Sequence, residues 1–155
     1  MADNAPFYAN GDLVSPLAMS LVMTYRVASG VTNVNKGDPV GISANVTDAT
    51  TLATVVTDVT AGDAAVIGIA IDACNTNGVS TTSAAGVVPV LMHGITKVTL
   101  TAAAVTQGLP LSPSATQGAL AATAAPTTAA ILAGVVGYAI TNFGSGDSGL
   151  IFVTK

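Results

Sequence analysis

From Leu17 onward the chain alternates. Odd positions carry Leu17, Met19, Leu21, Met23, Tyr25 and Val27, and even positions carry Ala18, Ser20, Val22, Thr24, Arg26 and Ala28. A period of two predicts a strand with its larger side chains on one face and Arg26 on the other. Residues 39–43, 64–72, 87–93, 95–101, 109–112, 134–141 and 150–154 read the same way. Most are rich in Val, Ile and Thr, whose branched side chains suit a pleated sheet. Turn residues separate them, as in Asn35-Lys36-Gly37-Asp38-Pro39, Asn75-Thr76-Asn77-Gly78 and Gly144-Ser145-Gly146-Asp147. Many short strands joined by such turns predict an all-β barrel or sandwich.

Two stretches lack this period. Residues 1–16 hold Pro6, Phe7, Tyr8, Asn10, Gly11 and Pro16, and read as an extended N-terminal arm before a single β-rich domain over 17–155. Residues 113–130 are Ala, Thr and Ser with Pro113 and Pro126. They read as a long loop or as one short helix near 116–125.

An internal repeat joins the strand pattern to a larger plan. Lys36-Gly37-Asp38-Pro39-Val40 is echoed 71 positions later by Gln107-Gly108-Leu109-Pro110-Leu111. Val66-Ile67-Gly68-Ile69-Ala70-Ile71 is echoed 69 positions later by Val135-Val136-Gly137-Tyr138-Ala139-Ile140. The copies span about 36–72 and 107–141. In each, a turn glycine (Gly37, Gly108) precedes a proline that keeps the next stretch extended (Pro39, Pro110). A returning strand then carries a glycine (Gly68, Gly137), as a bulge or a close backbone approach requires.

Composition narrows the function. The 155 residues weigh 15.1 kDa, about 97 Da each, because small residues dominate. Charged residues are 8%, against roughly 25% in an ordinary domain. Half the chain is hydrophobic and the mean hydropathy is +0.67, which argues for a packed fold. Arg26, Lys36, Lys97 and Lys155 are scattered, so no basic face for nucleic acid is expected. Apolar runs are cut by Ser, Thr, Gly or Pro before reaching the ~18–20 residues of a membrane-spanning helix. The segment Met1-Ala2-Asp3-Asn4-Ala5-Pro6 has neither the positive region nor the apolar core of a secretion signal. Cys74 is the single cysteine, so an intrachain disulfide is excluded and synthesis in a reducing cytoplasm is expected.

Catalytic patterns are sparse. His93, the single histidine, would need a nucleophile on a strained turn and an orienting carboxylate; Phe143-Gly144-Ser145-Gly146 is a glycine-rich turn without the Gly-x-Ser-x-Gly form. A hydrogen-bonded histidine at a strand end or an interface is the plainer reading. Cys74 has no neighbouring cation in sequence to lower its pKa and reads as a small buried residue. Asp38, Asp48, Asp58, Asp63, Asp72 and Asp147 do not follow calcium-loop spacing. The chain has no Glu and no Trp, unlike an aromatic-lined glycosidase cleft. No enzyme, no metal and no cofactor is the expectation.

What remains is the surface. With so few charges, Ala, Thr, Ser, Gly and Asn must face solvent, and ordering such short side chains in a contact costs little entropy. Contacts of this kind depend weakly on salt. They suit a chain packed in a symmetric assembly. The arm offers Phe7, Tyr8, Leu13, Pro16 and Leu17 as candidate interface residues.

The order of these motifs resembles the small phage capsid decoration, or cement, proteins. The matching residues are Lys36-Gly37-Asp38-Pro39-Val40, Val66-Ile67-Gly68-Ile69-Ala70, Val87-Val88-Pro89-Val90 before Gly94, Gln107-Gly108-Leu109-Pro110-Leu111, Val135-Val136-Gly137-Tyr138-Ala139 and Leu150-Ile151-Phe152-Val153. They run from about residue 36 to the C-terminus, leaving 1–35 and 113–130 least matched. The resemblance implies a β-tulip-like barrel and a homotrimer assembled in the host cytoplasm. It implies a virion location on the capsid exterior, where the protein would bridge major capsid subunits against internal pressure. A tail-tube, fibre or pilus-like subunit is the alternative, with a secreted sugar-binding adhesin behind it.

Overall fold

The computed structural model describes residues 9–16, 19–27, 33–42, 55–58, 66–75, 86–100, 104–116, 118–123 and 134–155. Among them run eleven strands: β1 (Leu21–Val27), β2 (Asn33–Val34), β3 (Pro39–Ile42), β4 (Val55–Asp58), β5 (Val66–Ala70), β6 (Cys74–Asn75), β7 (Val87–Leu100), β8 (Pro110–Pro113), β9 (Ala119–Ala122), β10 (Gly137–Ala139) and β11 (Ser148–Thr154). The fold is all-β and contains a closed five-stranded barrel.

The hydrogen-bonded pairings close twice. A first ring runs β1-β4-β3-β5-β7 and returns to β1; a second runs β7-β11-β10-β8-β9 and returns to β7. The 14-residue β7 belongs to both. Its Val87–His93 half pairs with β1, and its Gly94–Thr99 half pairs with β11. Gly94, at φ +136°, marks the change. Before it Val88 and Val90 face the first core; after it Thr96, Val98 and Leu100 are buried in the second ring. The register slips just before it: Leu91 pairs with Val22 and His93 with Leu21, which leaves Met92 as the extra residue of a bulge. Sequence spacing predicted two strands here, because Gly94 reads as punctuation; the ladder passes through it.

The two rings match pair for pair. The parallel pair Arg26–Val55 corresponds to Thr99–Ala119, and Val27–Val56 to Leu100–Leu120. Val40–Asp58 corresponds to Leu111–Ala122, Pro39–Ile69 to Pro110–Tyr138, and Val40–Gly68 to Leu111–Gly137. Ile69–Leu91 corresponds to Tyr138–Phe152, and Tyr25–Val88 to Val98–Gly149. Turn bonds repeat as well. The Gly37 N–H donates to the Ala70 carbonyl at 2.7 Å, and the Gly108 N–H to that of Ala139 at 2.8 Å. Gly37 and Gly108 hold φ +94° and +86°, values that side-chain-bearing residues rarely adopt. β7 therefore ends one copy and begins the next.

Each ring has an apolar interior. Tyr25, Val34, Val40, Ala70, Val88 and Val90 fill the first. Val98, Leu100, Val105, Leu111, Leu120, Val136, Ala139, Phe143, Ile151 and Val153 fill the second, and Val66, Ile69 and Leu91 from the first ring's outer wall join that cluster. Fully burying one such Leu or Ile contributes about 1.5–3 kcal/mol. The aromatic filler differs between copies. Val34 pairs with Cys74 and Val105 with Phe143 in equivalent places. The first ring thus uses Tyr25, Cys74 and Val88 where the second uses Val98, Phe143 and Gly149. The aromatic ring occupies a different position in each interior. This gives the buried Cys74 a packing role.

The Ala/Thr stretch departs from the expected loop or short helix. Ala119–Ala122 is strand β9, antiparallel to β8 and parallel to β7, so tertiary pairing overrides the weak strand preference of alanine. Residues 124–130 lie outside the described residues. Of the arm, residues 9–16 lie against the body along the edge of β7. The Gly11 N–H donates to the Lys97 carbonyl at 2.7 Å, the Val14 N–H to that of Ile95 at 2.8 Å, and Leu13 bridges Thr96.

Candidate interaction surface

The residues with catalytic potential are dispersed. His93 is exposed on β7, with its ring edge-on to Phe152 at a centroid distance of 4.9 Å. Cys74 is buried on β6. Asp38 is buried in the turn before β3, where its carboxylate accepts the Asn35 backbone N–H at 2.8 Å and the Asn35 side-chain amide at 3.2 Å. That is turn chemistry, which holds the loop in register. No group of three or more His, Cys, Asp or Glu residues able to hold a metal occurs among the described residues.

Pro39 and Pro110 open β3 and β8. A Cβ at Gly68 or Gly137 would press into the carbonyl of Leu91 or Phe152 on the neighbouring strand, so both glycines mark close backbone approaches. Of the arm residues, Leu13 is half-buried against the second core and Pro16 is exposed, its carbonyl accepting the Met19 N–H at 2.9 Å. Phe7, Tyr8 and Leu17 lie outside the described residues.

One ion pair latches the arm to the turn before β3. Lys36 Nζ lies 2.5 Å from Asp12 Oδ1, and the Ala9 N–H donates to Asp12 Oδ2 at 2.6 Å. The Lys36 ammonium, then the Ala9 N–H, hold the Asp12 carboxyl below its ordinary value of 3.8. A depressed carboxylate adds stability above its unfolded pKa, and that stability is lost as the pH falls through the lower folded value. Both side chains are about a third or more exposed, so Asp12→Asn should cost less than about 1 kcal/mol at neutral pH. Urea titrations of the two proteins should converge as the pH drops below the ordinary carboxylate range.

Exposed apolar side chains are the more informative feature. Met19, just before β1, and Leu21 and Met23, at its start, are 70%, 48% and 46% exposed. Met23 stands at the rim of the first core, where half-buried Ile67 and Met92 also pack. The Tyr25 hydroxyl donates to Met92 Sδ at 3.2 Å and approaches Met23 Sδ at 3.7 Å. A second patch lies on the outer wall of the second ring. Tyr138 is paired with Phe152 and Phe152 with Ile95, so these three side chains share a face. Tyr138 is 38% exposed, and the others are half-buried.

No family model and no curated protein matches the chain. Among solved structures, the head fiber gp8.5 N base of bacteriophage phi29 is similar, with a TM-score of 0.45 and 15% identity over 88% of this chain and 95% of that one.

Sequence reasoning placed the candidate contacts in the arm and passed over Met23, Met92, Tyr138 and Phe152. The signal lay in the alternation itself. Leu21, Met23 and Tyr25 share a parity, but only Tyr25 is buried. Which members of an apolar face meet solvent depends on where the ring ends.

Proposed function

We propose that the protein is a structural virion protein that decorates the outside of an icosahedral phage head and stabilises contacts between major capsid subunits. The observation that supports this best is the surface. Large apolar side chains stand exposed at Met19, Leu21, Met23 and Tyr138 on a chain with four basic and eight acidic residues. Exposed apolar patches of this kind suit protein contacts, and scarce charge makes those contacts tolerant of salt. The motif order supports the same reading. A multivalent clamp needs only to bind the assembled, expanded shell better than its separated parts. It requires no cofactor and no catalytic residue. Its partners are the major capsid protein and further copies of itself, as a homotrimer, with neither nucleic acid nor membrane involved.

The test mixes purified protein with expanded, undecorated capsids and measures bound copies and capsid melting at low and high salt. Saturation at a number fixed by the lattice, a raised melting temperature and little change with salt are expected. Failure to bind at any salt concentration, or growth of the protein alone into tubes or filaments, overturns the reading.

A further inference from the structure

The internal joint between the two rings shows how one copy of this fold packs against the next. Ile69 and Leu91, on the outer wall of the first ring, are fully buried in one cluster with Val136 and Val153 of the second. The wall of one ring therefore packs into the rim of the following one, which the arm also covers: Leu13 packs against the same cluster, and the Thr96 hydroxyl donates to the Asp12 carbonyl at 2.8 Å.

Each partner in that joint has an equivalent among the described residues, and each equivalent includes a large exposed apolar side chain, Tyr138 in one and Met23 in the other. The wall residues Val22, Ile69 and Leu91 correspond to Ile95, Tyr138 and Phe152 of the second ring, joined by the same cross-strand pairs. Ile69 is fully buried, whereas Tyr138 in its place is 38% exposed. The covered rim runs the other way. Thr96, Val136 and Val153 correspond to Met23, Ile67 and Met92. Thr96, Val136 and Val153 are each 0% exposed; Met23 is 46% exposed, and Ile67 and Met92 are half-buried. Among the described residues, the wall of the second ring and the rim of the first are thus more exposed than their counterparts in the joint, although His93 lies edge-on to Phe152 in that wall. Both carry apolar side chains where their equivalents are covered.

We propose that these two surfaces bind one another between copies of the chain. The wall of Ile95, Tyr138 and Phe152 on one copy covers the rim of Met23, Ile67 and Met92 on the next, repeating the internal joint. The contact is heterologous, and the homotrimer of the proposed function is the case in which its rotation closes into a ring of three. It specifies the self-association in the proposed function and can be measured without a capsid.

Head-to-tail binding has a signature that a two-fold interface lacks. A Met23→Lys chain keeps its wall and loses its rim; a Tyr138→Asp chain keeps its rim and loses its wall. An unpaired charge in an apolar contact should weaken each variant's self-association by about a hundredfold or more. Sedimentation velocity over a concentration series should show wild-type chain associating, each variant alone as a monomer, and an equimolar mixture as a dimer that grows no further. Thermal unfolding checks that both variants fold as the wild type does. If either melts early, Met23→Gln and Tyr138→Ser should give the same pattern in weaker form. A monomeric wild type, a single variant that associates normally, or a mixture that stays monomeric overturns the contact. Capsid binding that persists in such a case leaves the decoration reading standing, while self-association without capsid binding separates the two the other way.

Discussion

Gly149→Ala is expected to destabilise the protein by about 3 kcal/mol or more, at the upper end of overpacking penalties. The added methyl would fall inside the ring of Phe143, whose Cε1, Cδ1 and Cζ are its nearest neighbours. Phe143 cannot swing away cheaply. It is 4% exposed, and its backbone exchanges hydrogen bonds of 2.9 and 3.1 Å with Val105. Phe143→Ala alone should also cost about 3–5 kcal/mol, by opening a cavity over Gly149. Combining Gly149→Ala with Phe143→Leu should recover a substantial part of the loss, because the smaller residue vacates space that the methyl fills. Denaturant titrations of Gly149→Ala, Phe143→Leu and the double variant give the coupling directly. Strict additivity, or a G149A protein as stable as wild type, would show that the ring is not held over Gly149.

Gly68→Ala and Gly137→Ala should behave as a matched pair. At Gly68 the new Cβ would lie 2.8 Å from Val90 Cγ1 and 3.0 Å from the Leu91 carbonyl carbon, with the carbonyl oxygen nearer. At Gly137 it would lie 2.9 Å from the Phe152 carbonyl carbon and 3.0 Å from Val153 Cα, again with the oxygen nearer. Backbone on a paired strand cannot yield as a side-chain tip can. Each substitution should therefore cost about 2–3 kcal/mol or more. Because β7 belongs to both rings, each should lower the midpoint of one common unfolding transition. The measurement is urea unfolding followed separately by the near-ultraviolet signal and by far-ultraviolet circular dichroism. Two separated transitions, one of them insensitive to Gly137→Ala, would contradict this.

Much of this plan was legible where backbone constraints force a residue type. The Gly37-Asp38-Pro39 and Gly108-Leu109-Pro110 turns, and Gly68 with Gly137, fall in equivalent places because turn φ angles and close strands admit few alternatives. The missing strands lay where pairing, not local preference, decides. Ala119–Ala122 has weak intrinsic strand character, and only its neighbours β7 and β8 make it a strand. Gly94 hid the continuity of β7, since in sequence a glycine inside a strand looks like one that ends it. The exposed surface was least legible. Met23 and Tyr25 share a face, and only the position of the ring's rim separates the exposed side chain from the buried one.

The shared strand also changes what holds the two halves together. Two domains packed through side chains can part on dilution or under load, and their contact has a dissociation constant. Here one continuous backbone passes from the first ring into the second through Gly94, hydrogen-bonded in both. Separating the halves means stripping β7 out of one ring, which unfolds that ring. A pull applied across the joint is carried by covalent bonds and by ladders loaded along their length, so the molecule resists tension up to the force that unfolds it.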